Sequence, residues 1–218
     1  MEWSLLAALD EAERQQVLAT TRRRSFTTGE VLVHESDPAD SLHLVESGRL
    51  AVQVTTADGD TATINVLGPG SYFGELSLLD GRAPRRSATV LALEPSVTRV
   101  LGATAFADLR RRHRAADHML LVLLARRVEE LSSRLVEATY DALDQRVHRR
   151  LHELAAMYAV GPGPVTVPLR QEVLAELVGG SRPSVNQVLQ RLAAEGVVSL
   201  GRGRVVVLDR DRLAERAG

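Results

Sequence analysis

Residues 73–90 read Phe-Gly-Glu-Leu-Ser-Leu-Leu-Asp-Gly-Arg-Ala-Pro-Arg-Arg-Ser-Ala-Thr-Val. In this stretch a glycine and a carboxylate, Gly74 and Glu75, stand upstream of Arg86 and Ser87. Glycine lets backbone N–H groups approach an anion closely. A carboxylate can accept a hydrogen bond from a sugar hydroxyl, and arginine with serine can donate to phosphate oxygens. The stretch therefore predicts a site for a phosphate and a ribose.

The same residue types also occur in ordinary surface loops whose charges face water. The flanking sequence argues against that interpretation. Val66 and Leu67 precede the turn signal Gly68-Pro69-Gly70, and residues 88–100 carry β-branched side chains in a strand-like rhythm. A loop between two strands is the context that such a site needs.

The composition limits the classes of function. The 218 residues, 44% of them hydrophobic, can bury a core, and we expect two small domains. The sequence has no cysteine and no lysine, which excludes disulfides, cysteine-ligated metal sites, thiol nucleophiles and lysine Schiff bases. It shows neither a long apolar run nor a basic, apolar leader, so we expect a soluble, cytoplasmic protein without a signal peptide.

Short apolar runs broken by turn formers characterise the first half of the chain. They lie at residues 31–33, 42–45, 50–54, 62–67 and 88–100. One break, Asp58-Gly59, is a strong hairpin signal. Evenly spaced short strands of this kind predict a β-barrel or β-roll.

From residue 121 the apolar residues follow the heptad spacing of a coiled coil. They are Leu121, Leu124, Val128, Leu131, Leu135, Ala138 and Ala142. A long helix packed on its own domain is the alternative interpretation. A two-strand seam needs a partner helix, however, which favours a parallel homodimer.

The last part of the chain alternates strands and helices. A short strand at 165–168 precedes helical patterns at 169–178 and 182–195, and two strands at 197–200 and 205–208 flank a basic turn. Gly179-Gly180 separates the helices, and Ser181 can cap the second. The outward side chains of that helix can read base edges or hold phosphate: Arg182, Ser184, Asn186, Gln187, Gln190 and Arg191. An ordinary helical hairpin on a small sheet is the alternative.

Taken together, these features resemble the Crp/Fnr family of bacterial transcription regulators over nearly the whole chain. The matching motifs are Gly74-Glu75-Leu76-Ser77, Arg86-Ser87-Ala88, Arg170-Gln171-Glu172 and Gly180-Ser181-Arg182. The resemblance implies an α+β fold with three parts. These are a jelly-roll-like β-roll sensor domain at 1–112, a dimerisation helix and hinge at 113–142, and a winged helix-turn-helix DNA-binding domain at 143–218.

The implied function is that of a homodimeric transcriptional regulator and not of an enzyme. It would bind palindromic promoter DNA and RNA polymerase, without membrane, metal or cofactor, under the control of an effector, cyclic AMP or cyclic GMP. The cyclic-nucleotide site would comprise Gly74, Glu75, Leu76, Ser77, Arg86, Ser87, Ala88, Arg127, Leu131 and Ser132. The DNA site would comprise Arg170, Gln171, Ser181, Arg182, Ser184, Asn186, Gln187, Arg191, Arg202 and Arg204.

The resemblance also implies individual roles, with some departures. Glu75 would accept the ribose 2′-hydroxyl, and Arg86 with Ser87 would hold the cyclic phosphate. Leu131 stands where cyclic-AMP-responsive members have a threonine, which leaves Ser132 as a donor to the base, from either subunit.

Two further departures concern the phosphate ligand and the DNA sequence. One extra residue ahead of the Arg-Ser pair makes Arg85 an alternative to Arg86, and we favour Arg86 because Ser87 and Ala88 follow it directly. Pro183 and Gln187 replace a glutamate and an arginine of the recognition helix, so a different DNA site is expected.

Other functions stay open. The same DNA-binding role could respond to a different effector or to none, and the cyclic-nucleotide module could regulate a protein partner. A haem sensor would need His34 and His43 as axial ligands. A nucleotide hydrolase using Glu75 as a base would lack a second carboxylate or a nucleophile nearby in the sequence. His148 and His152 share a helical face but lack a further ligand.

Overall fold

The computed structural model describes residues 3–79 and 85–217. The chain divides into two compact units, with the boundary between Glu130 and Leu131 and with Thr61–Thr63 assigned to the second unit. The first unit contains the β-roll, and the second contains a helical domain with a small sheet. This architecture confirms the α+β fold class, whereas the domain limits at residues 112 and 142 stay a prediction.

Two four-stranded sheets form the β-roll. The strands are β1 Arg22–Phe26, β2 Val31–Val33, β3 Ser41–Ser47, β4 Leu50–Thr55, β5 Thr61–Leu67, β6 Tyr72–Phe73, β7 Thr89–Ala92 and β8 Ser96–Gly102. Their order is β1-β8-β3-β6 in one sheet and β2-β7-β4-β5 in the other. Residues 88–100 therefore form two strands instead of one. The break falls at Pro95, which lacks the N–H that a continuing ladder would require.

The inner faces of both sheets bury apolar side chains. One cluster includes Leu42, Leu44 and Leu101, and the other includes Leu50 and Val90. Each such side chain contributes about 1.5–3 kcal/mol when fully buried. The sheets thereby fix the positions of the loops that connect them.

Turn signals in the sequence predict some of the connections between strands and miss others. The predicted turn at Asp58-Gly59 is confirmed, since Gly59 has φ +86° and the N–H of Thr56 donates to the carbonyl of Asp60 at 2.8 Å. Helix α2, Glu75–Leu79, lies inside the quoted stretch and was not predicted. Five residues are too few to show a helical period.

The described part of the first unit also contains a short 3₁₀ helix at Ser4–Leu6 and the α-helices α1 Glu11–Ala19, α3 Ala103–Arg112 and the beginning of α4, Arg114–Tyr140. Leu120 of α4 is buried in the core, but Leu121, Val128 and Leu135 of the predicted seam are 61%, 63% and 69% exposed. Ala142 does not belong to the seam, and that part of the prediction is wrong. The helix ends at Tyr140, and Ala142 is the extended N-cap residue of the next helix, with φ −61° and ψ 151°.

The second unit contains four further helices and a three-stranded sheet among its described residues. They are α5 Leu143–Tyr158, β9 Val165–Val167, α6 Gln171–Val178, α7 Arg182–Ala194, β10 Val198–Gly201, β11 Arg204–Val207 and α8 Arg210–Ala217. The sheet order is β10-β11-β9, so the predicted short strand, β9, lies at an edge of the sheet. None of the helices in the described parts of the chain is long and apolar enough to span a membrane.

Helix ends in this unit follow their capping residues. Helix α6 begins later than predicted because Arg170 is its extended N-cap residue, with φ −72° and ψ 145°. The predicted cap of α7 is confirmed, since Ser181 Oγ accepts a hydrogen bond from the N–H of Ser184 at 3.3 Å. Gly179 ends α6 with φ +59°, a left-handed conformation that glycine adopts without steric cost.

Candidate functional site

A cavity lies between α2, the segment that precedes β7, and α4. It contains about 420 Å³ of space between protein atoms, part of it open to solvent. The predicted residues that line it are Gly74, Glu75, Leu76, Ser77, Arg86, Ser87, Ala88 and Arg127. Apolar side chains complete the lining: Val33, Val52, Phe73 and Val90. The fold thus brings a carboxylate, two arginines and two serines together over an apolar floor.

Arg86 is a charged side chain held inside the first unit, with 6% of its surface exposed. Its Nη1 donates to the carbonyl of Ser41 at 2.8 Å, and its Nη2 donates to Ser41 Oγ at 3.0 Å. Burial lowers the pKa of Arg86, while the carboxylates of Asp40, Asp37 and Glu75 oppose that shift. Because its partners are fixed, the guanidinium has a defined direction in the cavity.

The main chain of Arg86 is fixed as well. Its N–H donates to the carbonyl of Asp37 at 2.9 Å, and its carbonyl accepts from the N–H of Ser36 at 2.8 Å. Ser36 has φ +69°, a rare conformation for a residue other than glycine. Arg85, one position earlier, is exposed, and its Nη1 donates to the carbonyl of Ser36 at 2.8 Å. Arg86 lines the cavity, and Arg85 does not.

Gly74 makes room for this arginine. It has φ +94°, and a Cβ atom built there would lie 2.4 Å from Arg86 Nη1 and 2.8 Å from the carbonyl oxygen of Ser41. Both distances are far below van der Waals contact. Any other residue at position 74 would have to displace the guanidinium.

Glu75 begins α2 and is buried, with 3% of its surface exposed. Burial raises the pKa of its carboxyl group, whereas its own backbone N–H and the positive charges of Arg127 and Arg86 act in the opposite direction. The cavity therefore holds an acceptor and a donor of opposite charge within one small space. A ligand with both a hydroxyl and an anionic group can satisfy both of them.

The two serines of the cavity differ in whether their hydroxyl groups are available to a ligand. Ser87 is exposed at the cavity and can donate to a ligand, but Ser77 Oγ donates to the carbonyl of Arg85 at 2.7 Å. That bond ties α2 to the residue just before Arg86. Ser77 therefore has a structural use in the loop. Ser41 and Asp40 were missed by sequence reasoning, because they reach Arg86 from a distant strand and carry no local motif.

His43 is buried, with 1% of its surface exposed. Its ring stacks on Phe73, with centroids 4.6 Å apart, and its Nδ1 lies 3.1 Å from Thr98 Oγ1. Burial and the charges of Arg86 and Arg24 lower the pKa of His43 to about 3. The imidazole is thus neutral at pH 7 and serves as part of the packing beneath the cavity.

A second concave surface lies in the second unit, between the start of α6, the start of α7 and the β10–β11 turn. It is lined by Leu169, Arg170, Gln171, Glu172, Arg182, Gly201, Arg202, Gly203 and Arg204, and we call it the arginine groove. Gln187 and Arg191 are exposed farther along α7, and Ser184 and Asn186 are partly buried. The buried face of α7 consists of Val185, Val188, Leu189 and Leu192.

Two arginines of α7 have acidic partners. Arg182 Nη1 lies 3.0 Å from Glu172 Oε1, and Arg191 Nη2 lies 2.5 Å from Asp144 Oδ2. All four side chains are about half exposed. The groove therefore combines a polar helix face with a basic β-turn, which is the chemistry of a surface that meets a polyanion.

Comparison with known proteins identifies both units. A family model of the cyclic nucleotide-binding domain matches residues 23–113, and a model of the Crp-like helix-turn-helix domain matches residues 145–216. The chain is 35% identical over 213 residues to the cyclic AMP receptor protein of Thermus thermophilus, covering 98% of this chain and 96% of that protein. The chain belongs to the Crp/Fnr family of transcriptional regulators.

Further similarities span most of the chain. A CRP-like cAMP-activated global transcriptional regulator of Mycobacterium tuberculosis is 32% identical over 199 residues, which covers 88% of this chain and 86% of that protein. The crystal structure of Thermus thermophilus catabolite activator protein matches with a TM-score of 0.57 and 35% identity over 98% of both chains. Crp/Fnr proteins are transcriptional regulators and not enzymes.

Two positions assigned from the Crp/Fnr pattern, Leu131 and Ser132, do not line the cavity of their own chain. Both are exposed on α4, one turn beyond Arg127, which does line it. Leu131 is 50% exposed, and its place in a dimer seam stays a prediction. In the parts of the chain that the structure describes, no cluster of three or more histidine and acidic side chains could hold a metal ion.

The substitution Gly74→Ala should destabilise the first unit and displace Arg86. Gly59 provides a matched control, because it also has a positive φ, +86°, but has open space around its Cβ position. Gly59→Ala is expected to cost about 1–2 kcal/mol, the strain of the backbone alone. Gly74→Ala should cost more, because the clash adds to that strain. Chemical denaturation measures the free energy of unfolding of both variants. Equal losses of stability would show that the close approach of Gly74 to Arg86 does not contribute to the stability of the fold.

Proposed function

We propose that this protein is a homodimeric transcription regulator whose affinity for palindromic promoter sites is controlled by cyclic AMP or cyclic GMP bound in the cavity. One observation carries the proposal: Glu75 and Arg86, oppositely charged and both buried, line the same cavity beside Ser87. Similar proteins are named for a response to cyclic AMP. A role in the cytoplasm and contact with RNA polymerase follow from the same proposal.

The groups in the cavity suit the parts of a cyclic nucleotide. The guanidinium of Arg86 and the hydroxyl of Ser87 would donate to the cyclic phosphate, and Glu75 would accept the ribose 2′-hydroxyl. Arg127 faces the cavity from α4 and would pair with Glu75 or with the phosphate. Ser132, from either subunit, would contact the base. Fewer protein groups would contact the base than contact the phosphate and the ribose, so the identity of the base is less closely defined.

Arg86→Leu tests this assignment, with Arg85→Leu as the matched control. Loss of a buried, charged donor should weaken cyclic-nucleotide binding at least about 30-fold. Arg85 faces away from the cavity, so its loss should change the affinity by less than about threefold. Isothermal titration calorimetry with cyclic AMP and cyclic GMP measures both variants. A larger loss for Arg85→Leu would reverse the assignment, and no binding of either nucleotide to the wild-type protein would overturn the cyclic-nucleotide part of the proposal.

The apolar side chains along α4 support the homodimer. Leu121, Val128, Leu131 and Leu135 follow one another at steps of seven, three and four residues and are at least half exposed in the single chain. A parallel partner helix would cover them in knobs-into-holes packing. An exposed row of this length is otherwise unfavourable in water.

A charge placed in this row should dissociate the dimer. Leu135→Glu is expected to shift the protein to monomer at micromolar concentration in sedimentation equilibrium, because the glutamate would be buried without a partner. Val136→Glu is the control, since Val136 is also exposed (56%) but its side chain points about 100° away around the helix axis. A wild-type protein that stays monomeric with and without cyclic nucleotide would contradict the homodimer.

Regulation would occur by a shift between two arrangements of the dimer. Cyclic nucleotide bound in the cavity and against α4 would favour the arrangement in which the two α7 helices fit major-groove half-sites about 34 Å apart. Such a shift requires a difference in ligand affinity between the two states. The arginines of the β10–β11 turn, Arg202 and Arg204, would hold phosphates beside the recognition helix.

Arg182→Ala should weaken binding to a selected palindromic site by about 1–3 kcal/mol, the value of a bidentate contact to guanine. The control is Arg212→Ala, which removes an exposed arginine of α8 that does not line the arginine groove. Fluorescence anisotropy with DNA selected from a random library in the presence of cyclic nucleotide gives the affinities. If Arg182→Ala binds this DNA as the wild type does, Arg182 makes no contact with a base, and if the wild-type protein selects no DNA at all, the module acts on a partner other than DNA.

A further inference from the structure

The arginine groove contains a carboxylate among its positive charges. Arg170, Arg182, Arg202 and Arg204 line the groove, and Glu172 lies among them. A negative charge repels DNA phosphates, so a groove that served only to hold the DNA backbone would be weakened by it. Glu172 stands in the first turn of α6, where a carboxylate suits the helix N-terminus, and its contact with Arg182 gives it a second effect, on the charge of the groove.

Glu172 contacts the arginine that starts the recognition helix. Nη1 of Arg182 lies 3.0 Å from Oε1 of Glu172, and the two side chains are 65% and 49% exposed. At such exposure the ion pair is weak, and a competing ligand can replace it. The other guanidinium donors, Nε and Nη2, can meet a base edge while Nη1 stays on the carboxylate.

The overall charge of this part of the chain makes the local pairing important. Residues 140–218 contain 11 arginines and 9 acidic residues, so their net charge gives little general attraction to DNA. An arginine that is paired with one of these acidic residues contributes little to that attraction. Affinity for a particular DNA sequence then depends mainly on contacts with base edges, because contacts with phosphates are the same for every sequence.

We propose that Glu172 is a specificity-determining residue. It holds Arg182 in an orientation that suits a base edge and withdraws its charge from the phosphates of DNA that lacks this base. The inference rests on the proposed function, that is, on DNA binding through α7. It goes beyond that function because it assigns discrimination between DNA sequences to a carboxylate of the preceding helix.

Glu172→Gln tests the proposal, and Glu153→Gln is the matched control. Glu153 is 46% exposed and lies 2.5 Å from Arg150 Nη1, but it is not part of the groove. The full-length dimer is titrated, with the cyclic nucleotide that supports site binding, against a selected palindromic duplex and a scrambled duplex of equal length. Anisotropy is measured over a salt series of about 50–200 mM.

For the scrambled duplex, Glu172→Gln is expected to increase affinity about two- to fivefold per subunit, because Arg182 becomes available to a phosphate. The logarithmic salt dependence should steepen by about one unit per subunit for the same reason. Affinity for the selected duplex should not increase. The ratio between selected and scrambled DNA therefore falls, while Glu153→Gln and Glu172→Asp keep the wild-type ratio.

An equal gain for both duplexes, or the same change in Glu153→Gln, would show that Glu172 acts as a general charge and would overturn the inference. An unchanged ratio in Glu172→Gln would overturn it as well. If the wild-type protein does not bind the selected duplex, the proposed function itself is wrong. That result differs from the outcomes above, in which the wild type binds and only the effect of the Glu172 variant is at issue. Glu172→Asp keeps the negative charge. If this variant binds DNA as the wild type does, the change in Glu172→Gln comes from the lost charge and not from unfolding.

Discussion

A buried guanidinium organises the first unit. Removal of a charge from water is costly unless its hydrogen bonds are replaced, so Arg86 requires fixed partners around it. Ser41 provides a carbonyl and a hydroxyl at 2.8 and 3.0 Å, and Gly74 leaves the space that the guanidinium fills. Three segments that are distant in sequence therefore have to meet at one point. Their meeting creates the cavity.

The same constraint explains the backbone around the site. The segment at Ser36 and Asp37 pairs with the main chain of Arg86, and Ser36 adopts a left-handed conformation there. Conformations of this kind persist where the surrounding structure determines them. On the other side, Ser77 binds the carbonyl of Arg85. The side chain of Arg86 points inward because its own main chain and the carbonyl of Arg85 are held.

Sequence reasoning identified the parts of the site that depend on local chemistry. Gly74, Glu75, Arg86 and Ser87 form a motif whose residue types suit phosphate and ribose, and the structure places all four at one cavity. Ser41 and Asp40 could not be found in this way, because a serine and an aspartate before a strand are common and their contact with Arg86 is tertiary. Ala142 illustrates the opposite error. Its spacing fits the heptad, but spacing does not show where the helix ends.

Helix α4 connects the two proposed events, ligand binding and a change in the dimer. Arg127 lines the cavity, and Leu131, one turn later, is half exposed in the apolar row. Residues four apart lie on the same side of a helix, so a rotation or translation of α4 that improves the contact of Arg127 also moves Leu131. Packed interfaces have discrete arrangements and resist continuous deformation. A small displacement at the cavity would then select between two packings of the proposed seam, and Leu131, which has no hydroxyl to contact a base, would remain available for packing.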